Sequence, residues 1–117
     1  MEDLSNRVRA ELGARTAPER CGVMPEVRAG VDALDRALVL LMAERVRYMD
    51  AAARIKPERQ AVRDEDRIED VIAKVLATSD REGLPAAVAE PVWRLLIERC
   101  IAHEFDVFDS LRREAST

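Results

Sequence analysis

The stretch VRAGVDALDRALVLLMAERVRYMDAAARIK, residues 27–56, decides how the rest of the chain is read. Its apolar positions Val27, Val31, Leu34, Leu38, Leu41, Met42, Val46, Met49, Ala52 and Ile55 recur at steps of three and four, the period of an α-helix. Pro25 suits a first turn, Pro57 stops the run, and Gly30 is the one interior glycine. At 1.5 Å per residue such a helix is roughly 45 Å long, whereas a compact domain of this length has a radius of gyration of about 13 to 14 Å. One end is therefore expected to project from its own subunit. An apolar stripe on a projecting helix needs a second chain to cover it, so an intertwined homodimer is the expectation.

On the N-terminal side of this helix, Leu4, Val8 and Leu12 are spaced for a short amphipathic helix, followed by Gly13 and a polar run to Pro18. Residues 1–22 are read as an extension and residues 23–117 as the helical domain. On the C-terminal side, residues 57–62 form a short polar loop. Asp64 or Asp66 then caps a second helix with the stripe Ile68, Val71, Ile72, Val75 and Leu76, running to about Asp80. Gly83 and Pro85 mark its end. A third helix starts near Ala86, takes Pro91 in or near its first turn, and carries Trp93, Leu96, Ile97, Cys100, Ile101, Phe105, Phe108 and Leu111 to about Arg113. Residues 114–117 are expected to be loose. The fold class is all α, a three-helix chain whose first helix is very long.

The composition supports that class and narrows the partners. The 117 residues suffice for one core, and aromatics make up only 3% of them, the apolar remainder being mostly Ala, Val and Leu. The 23 acids and 19 bases are dispersed, for a net charge of −4. No basic stripe awaits a nucleic-acid backbone. Residues 1–20 lack the apolar core of a signal peptide, and no run reaches the length of a membrane span, so a cytoplasmic protein without membrane association is expected. Cys21 and Cys100 are read as thiols outside any disulfide, and one histidine, His103, gives no basis for a metal site.

Chemistry can lie in a few bases and one acid. Lys56 and Lys74 are the only lysines among the 19 bases. On the long helix, Arg45 and Lys56 are eleven residues apart, nearly on one face and about 16 Å apart along the axis. Their side chains can bracket one small anion, and Arg28, about 25 Å before Arg45, can reach only a partner subunit's site. The same bases also fit a solvated helix surface. Glu104 interrupts the apolar stripe of the third helix. Burial disfavours the charged carboxylate, so Glu104 is expected either as a neutral, hydrogen-bond-donating acid or paired with an arginine. Asp64 and Asp66 suit a helix start, whereas Arg67 is placed to join a carboxylate-binding cluster. His103 is read as a surface residue.

Taken in order, Val27-Arg28-Ala29-Gly30-Val31-Asp32 with Leu34-Asp35, Ala43-Glu44-Arg45, Ala53-Arg54-Ile55-Lys56, Val62-Arg63-Asp64-Glu65-Asp66-Arg67 and Leu95-Leu96-Ile97-Glu98 through Glu104 resemble the all-helical chorismate mutase family. The resemblance covers about residues 24–113. It implies an interlaced dimer with two equivalent sites and a Claisen rearrangement of chorismate, a small dicarboxylate, to prephenate without metal or cofactor. It also implies roles. Arg45 and Arg67 bind substrate carboxylates in one subunit and Arg28 does so from the other. Lys56 donates to the ether oxygen, Asp64 holds the C4 substituent, and Cys100, one turn before Glu104, lines the same site.

Two positions depart from the family pattern. Glu104 stands where a glutamine is common, and as glutamate it must be protonated to donate to the ether oxygen. Ile68 stands where many mutases have a glutamate that contacts the C4 hydroxyl. That change is compatible with relatives that rearrange 4-amino-4-deoxychorismate. The short spacing from Lys56 to Arg67 and the aliphatic Ile68 are shared with the branch that eliminates pyruvate from isochorismate to give salicylate. A non-catalytic reading, a helical scaffold or partner-binding dimer, is opposed by four bases suited to one cavity.

Overall fold

The computed structural model describes residues 3–116, and among them there are helices and turns but no strand. The elements are α1 (Leu4–Leu12), α2 (Met24–Ile55), α3 (Glu65–Glu82) and α4 (Ala86–Ser116), with short 3₁₀ turns at Pro18–Arg20 and Arg59–Ala61. The described residues thus form four α-helices rather than three. The N-terminal extension supplies the additional one, because Asp3 caps α1 by accepting from the Asn6 N–H at 2.8 Å and Gly13, at φ 55°, closes it.

The chain divides into two compact units, with the boundary between Arg47 and Tyr48, inside α2. In the first unit, Leu4, Val8 and Leu12 are half-buried on α1, and Arg36 of α2 is paired with Glu11 at 2.8 Å. The α2 N-terminus is closed by Glu26, whose carboxylate accepts from the Gly22 and Val23 N–H groups at 2.9 and 3.2 Å and from the Thr16 hydroxyl at 3.1 Å. The Glu26 carboxylate thus satisfies two amide groups just ahead of the helix, reaching back as the acid of a capping box does. The residues of α2 that this unit buries are small. Ala33 and Ala37 are covered, and a Cβ added at Gly30 would meet the Thr16 carbonyl oxygen at 4.0 Å. The large residues Val27, Val31, Leu34, Leu38, Leu41 and Met42 are exposed.

In the second unit α3 and α4 pack on each other. Ile68, Ile72 and Ile97 form one buried cluster, flanked by Val71, Leu76, Trp93 and Ile101. Ala53, Val62 and Phe108 form another, flanked by Ile101, Phe105 and Val107, so Ile101 touches both. Asp64 is the N-cap of α3, its carboxylate accepting from the Arg67 N–H at 3.1 Å. Gly83, in the left-handed region at φ 77°, lets the chain turn so that the Leu84 N–H reaches the Ser79 carbonyl at 2.8 Å. Pro91 lies near the first turn of α4, just past it, and the helix continues beyond.

Two expectations are corrected here. Residues 114–116 are not loose, since α4 runs to Ser116, whose hydroxyl donates to the Arg112 carbonyl at 2.9 Å; Thr117 lies outside the described residues. The segment after Pro57 is not merely polar, because Val62 is buried in the core. His103 is at the surface as expected, its Nε2 2.6 Å from Oδ1 of the equally exposed Asp50.

Ion pairs reinforce the second unit from outside. Arg94 of α4 makes a two-pronged contact with Glu69 of α3 at 2.9 and 3.0 Å, and Arg63 does the same with Glu98 at 2.9 Å on both prongs. Hydrogen bonds from these guanidinium groups hold the Glu69 and Glu98 carboxyls below their ordinary value of 4.5. A carboxyl depressed in the folded state contributes stability above the unfolded value and loses it as pH falls through the folded one. The thermal midpoint is therefore expected to be level from neutral pH to about 5 and to drop below about 4.5. A Glu69→Gln/Glu98→Gln double variant should show a shallower drop in the same calorimetric scans.

Candidate functional site

α2 ends at Ile55 because Pro57 cannot donate a backbone hydrogen bond, and Lys56 is left at the junction, its own N–H still bonded to the Ala52 carbonyl at 2.9 Å. The Lys56 ammonium turns toward α4, donating to Glu104 Oε2 at 2.7 Å and to the Val62 carbonyl at 3.4 Å. Glu104 is only 3% exposed. It sits between Cys100, one turn earlier, and Phe108, one turn later, and both are buried. A carboxylate in such surroundings is stable only with a charged or hydrogen-bonding partner. Lysine, rather than an arginine, supplies it. The Lys56 side chain is 29% exposed, so it is held by Glu104 from within while part of it reaches the surface.

Of the other candidates, Asp64 and Arg67 are joined through the α3 cap, and the Arg67 guanidinium is directed to Asp70 at 2.6 Å. Arg67 is exposed and held only by this surface pair, of the kind that contributes little to stability and is readily exchanged for another anion. Ile68 faces the core with Ile72 and Ile97. Arg28 and Arg45 are on α2 in the first unit, Arg28 exposed and Arg45 half-buried. The second unit therefore brings together Lys56, Glu104 and, on the Glu104 face of α4, Cys100.

Two groups beside this pair were not anticipated from the sequence. Arg59 lies over the Phe105 ring, 4.5 Å from its centroid, and binds Asp109 through two nitrogens at 2.9 and 3.3 Å. Arg112 lies over the Phe108 ring at 3.7 Å and donates to the carbonyls of Ala53 and Lys56. The only signal for Arg112 was its spacing, since Glu104, Phe108 and Arg112 follow one another at steps of four on α4.

Comparison with known proteins identifies the scaffold that carries this pair. The family described as chorismate mutase type II matches residues 27–105, a span that begins one residue before Arg28 and ends one residue after Glu104. The chain belongs to the chorismate mutase type II family. Among curated proteins, this chorismate mutase type II chain is similar to the isochorismate pyruvate lyase of Pseudomonas aeruginosa, with 24% identity over 98 residues that cover 84% of this chain and 97% of the relative. No solved structure matches it. Every candidate site residue falls inside the family span, whereas α1 and Arg112 fall outside it. Among the described residues, no helix is long and apolar enough to cross a membrane.

Proposed function

We propose that this protein is an enzyme acting on an enolpyruvyl ether dicarboxylate, and that its reaction is the Claisen rearrangement of chorismate to prephenate. The observation that carries the reading is the Lys56 ammonium, held 2.7 Å from a carboxylate that is itself buried in the apolar face of α4. In a rearrangement of this kind the ether C–O bond breaks as a C–C bond forms, and negative charge builds on the ether oxygen. A fixed, partly desolvated ammonium stabilises that charge without reorganising. Arg45 and Arg67 bind the carboxylates from one subunit and Arg28 does so from the other, which compresses the substrate toward its reactive conformer. Asp64 holds the C4 substituent and Cys100 lines the cavity beside Glu104. The functional form is a homodimer, in which the exposed apolar face of α2 is covered by a second copy.

A second reading is favoured by Ile68. Its burial with Ile72 and Ile97 puts hydrocarbon where a C4-binding carboxylate would be expected in a mutase. The similar protein from Pseudomonas aeruginosa is an isochorismate pyruvate lyase, and pyruvate elimination from isochorismate breaks the same type of enolpyruvyl ether bond. Lys56 would serve both reactions in the same way.

Incubation of the purified protein with chorismate, isochorismate and 4-amino-4-deoxychorismate in parallel, with products separated by chromatography, decides among these. Prephenate as the favoured product is the expected result. Salicylate with pyruvate would transfer the assignment to the lyase, and preferred turnover of the amino compound would transfer it to the aminated substrate. No turnover of any of the three, together with no rise in melting temperature when a dicarboxylate transition-state analogue is added, would leave a scaffold.

A further inference from the structure

Beyond the residues that meet substrate, α4 holds the opposite end of Lys56. In an α-helix the carbonyl of Ala53 would accept from the N–H of residue 57, but that residue is proline and has none. Ala53 is completely buried, so water cannot take the place of that donor. Arg112 does. One guanidinium nitrogen donates to the Ala53 carbonyl at 3.0 Å and another to the Lys56 carbonyl at 2.5 Å. The guanidinium plane is itself fixed by stacking on Phe108. Its positive charge at the C-terminus of α2 also complements the helix dipole there.

The result is a clamp with two jaws on one face of α4. Glu104 grips the Lys56 ammonium, Arg112 grips the Lys56 main chain eight residues later, and Phe108 between them supports the second jaw. A lysine side chain has four rotatable bonds, and with its tip on Glu104 and its N–H on the Ala52 carbonyl the carbonyl side of the residue is still to be fixed. With the carbonyl also held, the ammonium is fixed relative to α4. We propose that Arg112 is a positioning residue for Lys56, acting on the reaction by fixing the Lys56 carbonyl together with the Ala53 carbonyl that Pro57 leaves without its helical donor. The proposal rests on the catalytic role given to Lys56 above.

Arg112→Met tests it, because the methionine stem still covers Phe108 while both donors are removed. With the preferred substrate, kcat is expected to fall by about tenfold to a hundredfold while KM changes by less than about twofold, since misplacing a reacting group by a fraction of a bond length acts on the transition state. An independent readout uses the fact that Lys56 and Lys74 are the only lysines. In a lysine-labelled NMR spectrum, with the Lys74 signal assigned from Lys74→Arg, the two Hε protons of an immobilised Lys56 should be inequivalent and should collapse toward one averaged signal in Arg112→Met. The Lys74 signal should not move. If both kcat and the Lys56 signals stay at their wild-type values in folded Arg112→Met, the proposal is wrong. Should that variant fail to fold, Arg112→Lys keeps the charge but loses the two-pronged donor, and the same drop in kcat at unchanged KM is required of it. Absence of turnover in the wild type would overturn the function proposed above, and the NMR comparison would still decide whether Arg112 fixes Lys56.

Discussion

Lys56→Met is expected to lower kcat by about 10²–10³-fold, the effect of deleting one donor aimed at a developing oxyanion. The substitution keeps the length of the side chain and removes only its charge and its protons, so kcat should suffer more than KM. It also strands Glu104, which has almost no access to water and draws its charge-assisted hydrogen bond from Lys56. Removing one member of a buried pair costs on the order of 3 kcal/mol, because the other charge is left uncompensated. Stability and activity are separated by the double variant Lys56→Met/Glu104→Gln, in which no buried charge is stranded. Its melting temperature should recover toward wild type while its kcat stays low. Glu104→Gln alone keeps an oxygen that accepts from the Lys56 ammonium and should lose far less activity than Glu104→Ala. Steady-state rates and thermal melts of these four proteins are sufficient. If the double variant regained activity along with stability, Lys56 would be a structural partner of Glu104 and not a catalytic group.

The pairing behind this prediction was not visible in the sequence as such. Lys56 and Glu104 lie 48 positions apart, one just past the end of α2 and the other on α4, and no spacing rule links them. Local periodicity places each on its helix, and only the ordered family resemblance suggested a shared site. The limits of α2 and α3, in contrast, were legible because they are set locally, by the prolines at 25 and 57, by the side chain of Asp64 and by the left-handed Gly83. The end of α4 was misplaced for the converse reason. Arg112, near its last turn, is held by carbonyls of α2 far away in sequence. The apolar stripe of α2 taught a further distinction. Its period announced a helix correctly, yet the single chain buries the small Ala33 and Ala37 and leaves the large residues of the stripe outside. Periodicity identifies a face and does not say which neighbour covers it. Similarly, Asp64 and Arg67 are read from sequence as site residues, while the fold also gives both local work, one as a cap and the other as a surface ion pair.

If the proposed homodimer forms, Leu38→Glu should leave monomers and abolish turnover. Leu38 is 51% exposed in the single chain and is flanked along α2 by exposed Leu34, Leu41 and Met42. A contiguous apolar face of this kind marks an interaction surface. A glutamate there costs nothing in an isolated subunit, where it is solvated, and is strongly unfavourable once a second copy buries it. Sedimentation should therefore show the monomer, with helical content by circular dichroism unchanged. Loss of activity follows only if the site draws a residue from each subunit, and mixing two inactive variants measures that directly. In a dimer of Arg28→Ala with Lys56→Met, one site carries both substitutions and the other carries neither. Random exchange makes half of the dimers mixed, so the mixture should recover about a quarter of wild-type activity. If Arg28 instead served the Lys56 of its own chain, each site would keep one defect and mixing would restore nothing. A wild-type protein that sediments as a monomer and still turns over substrate would remove the dimer from the mechanism altogether.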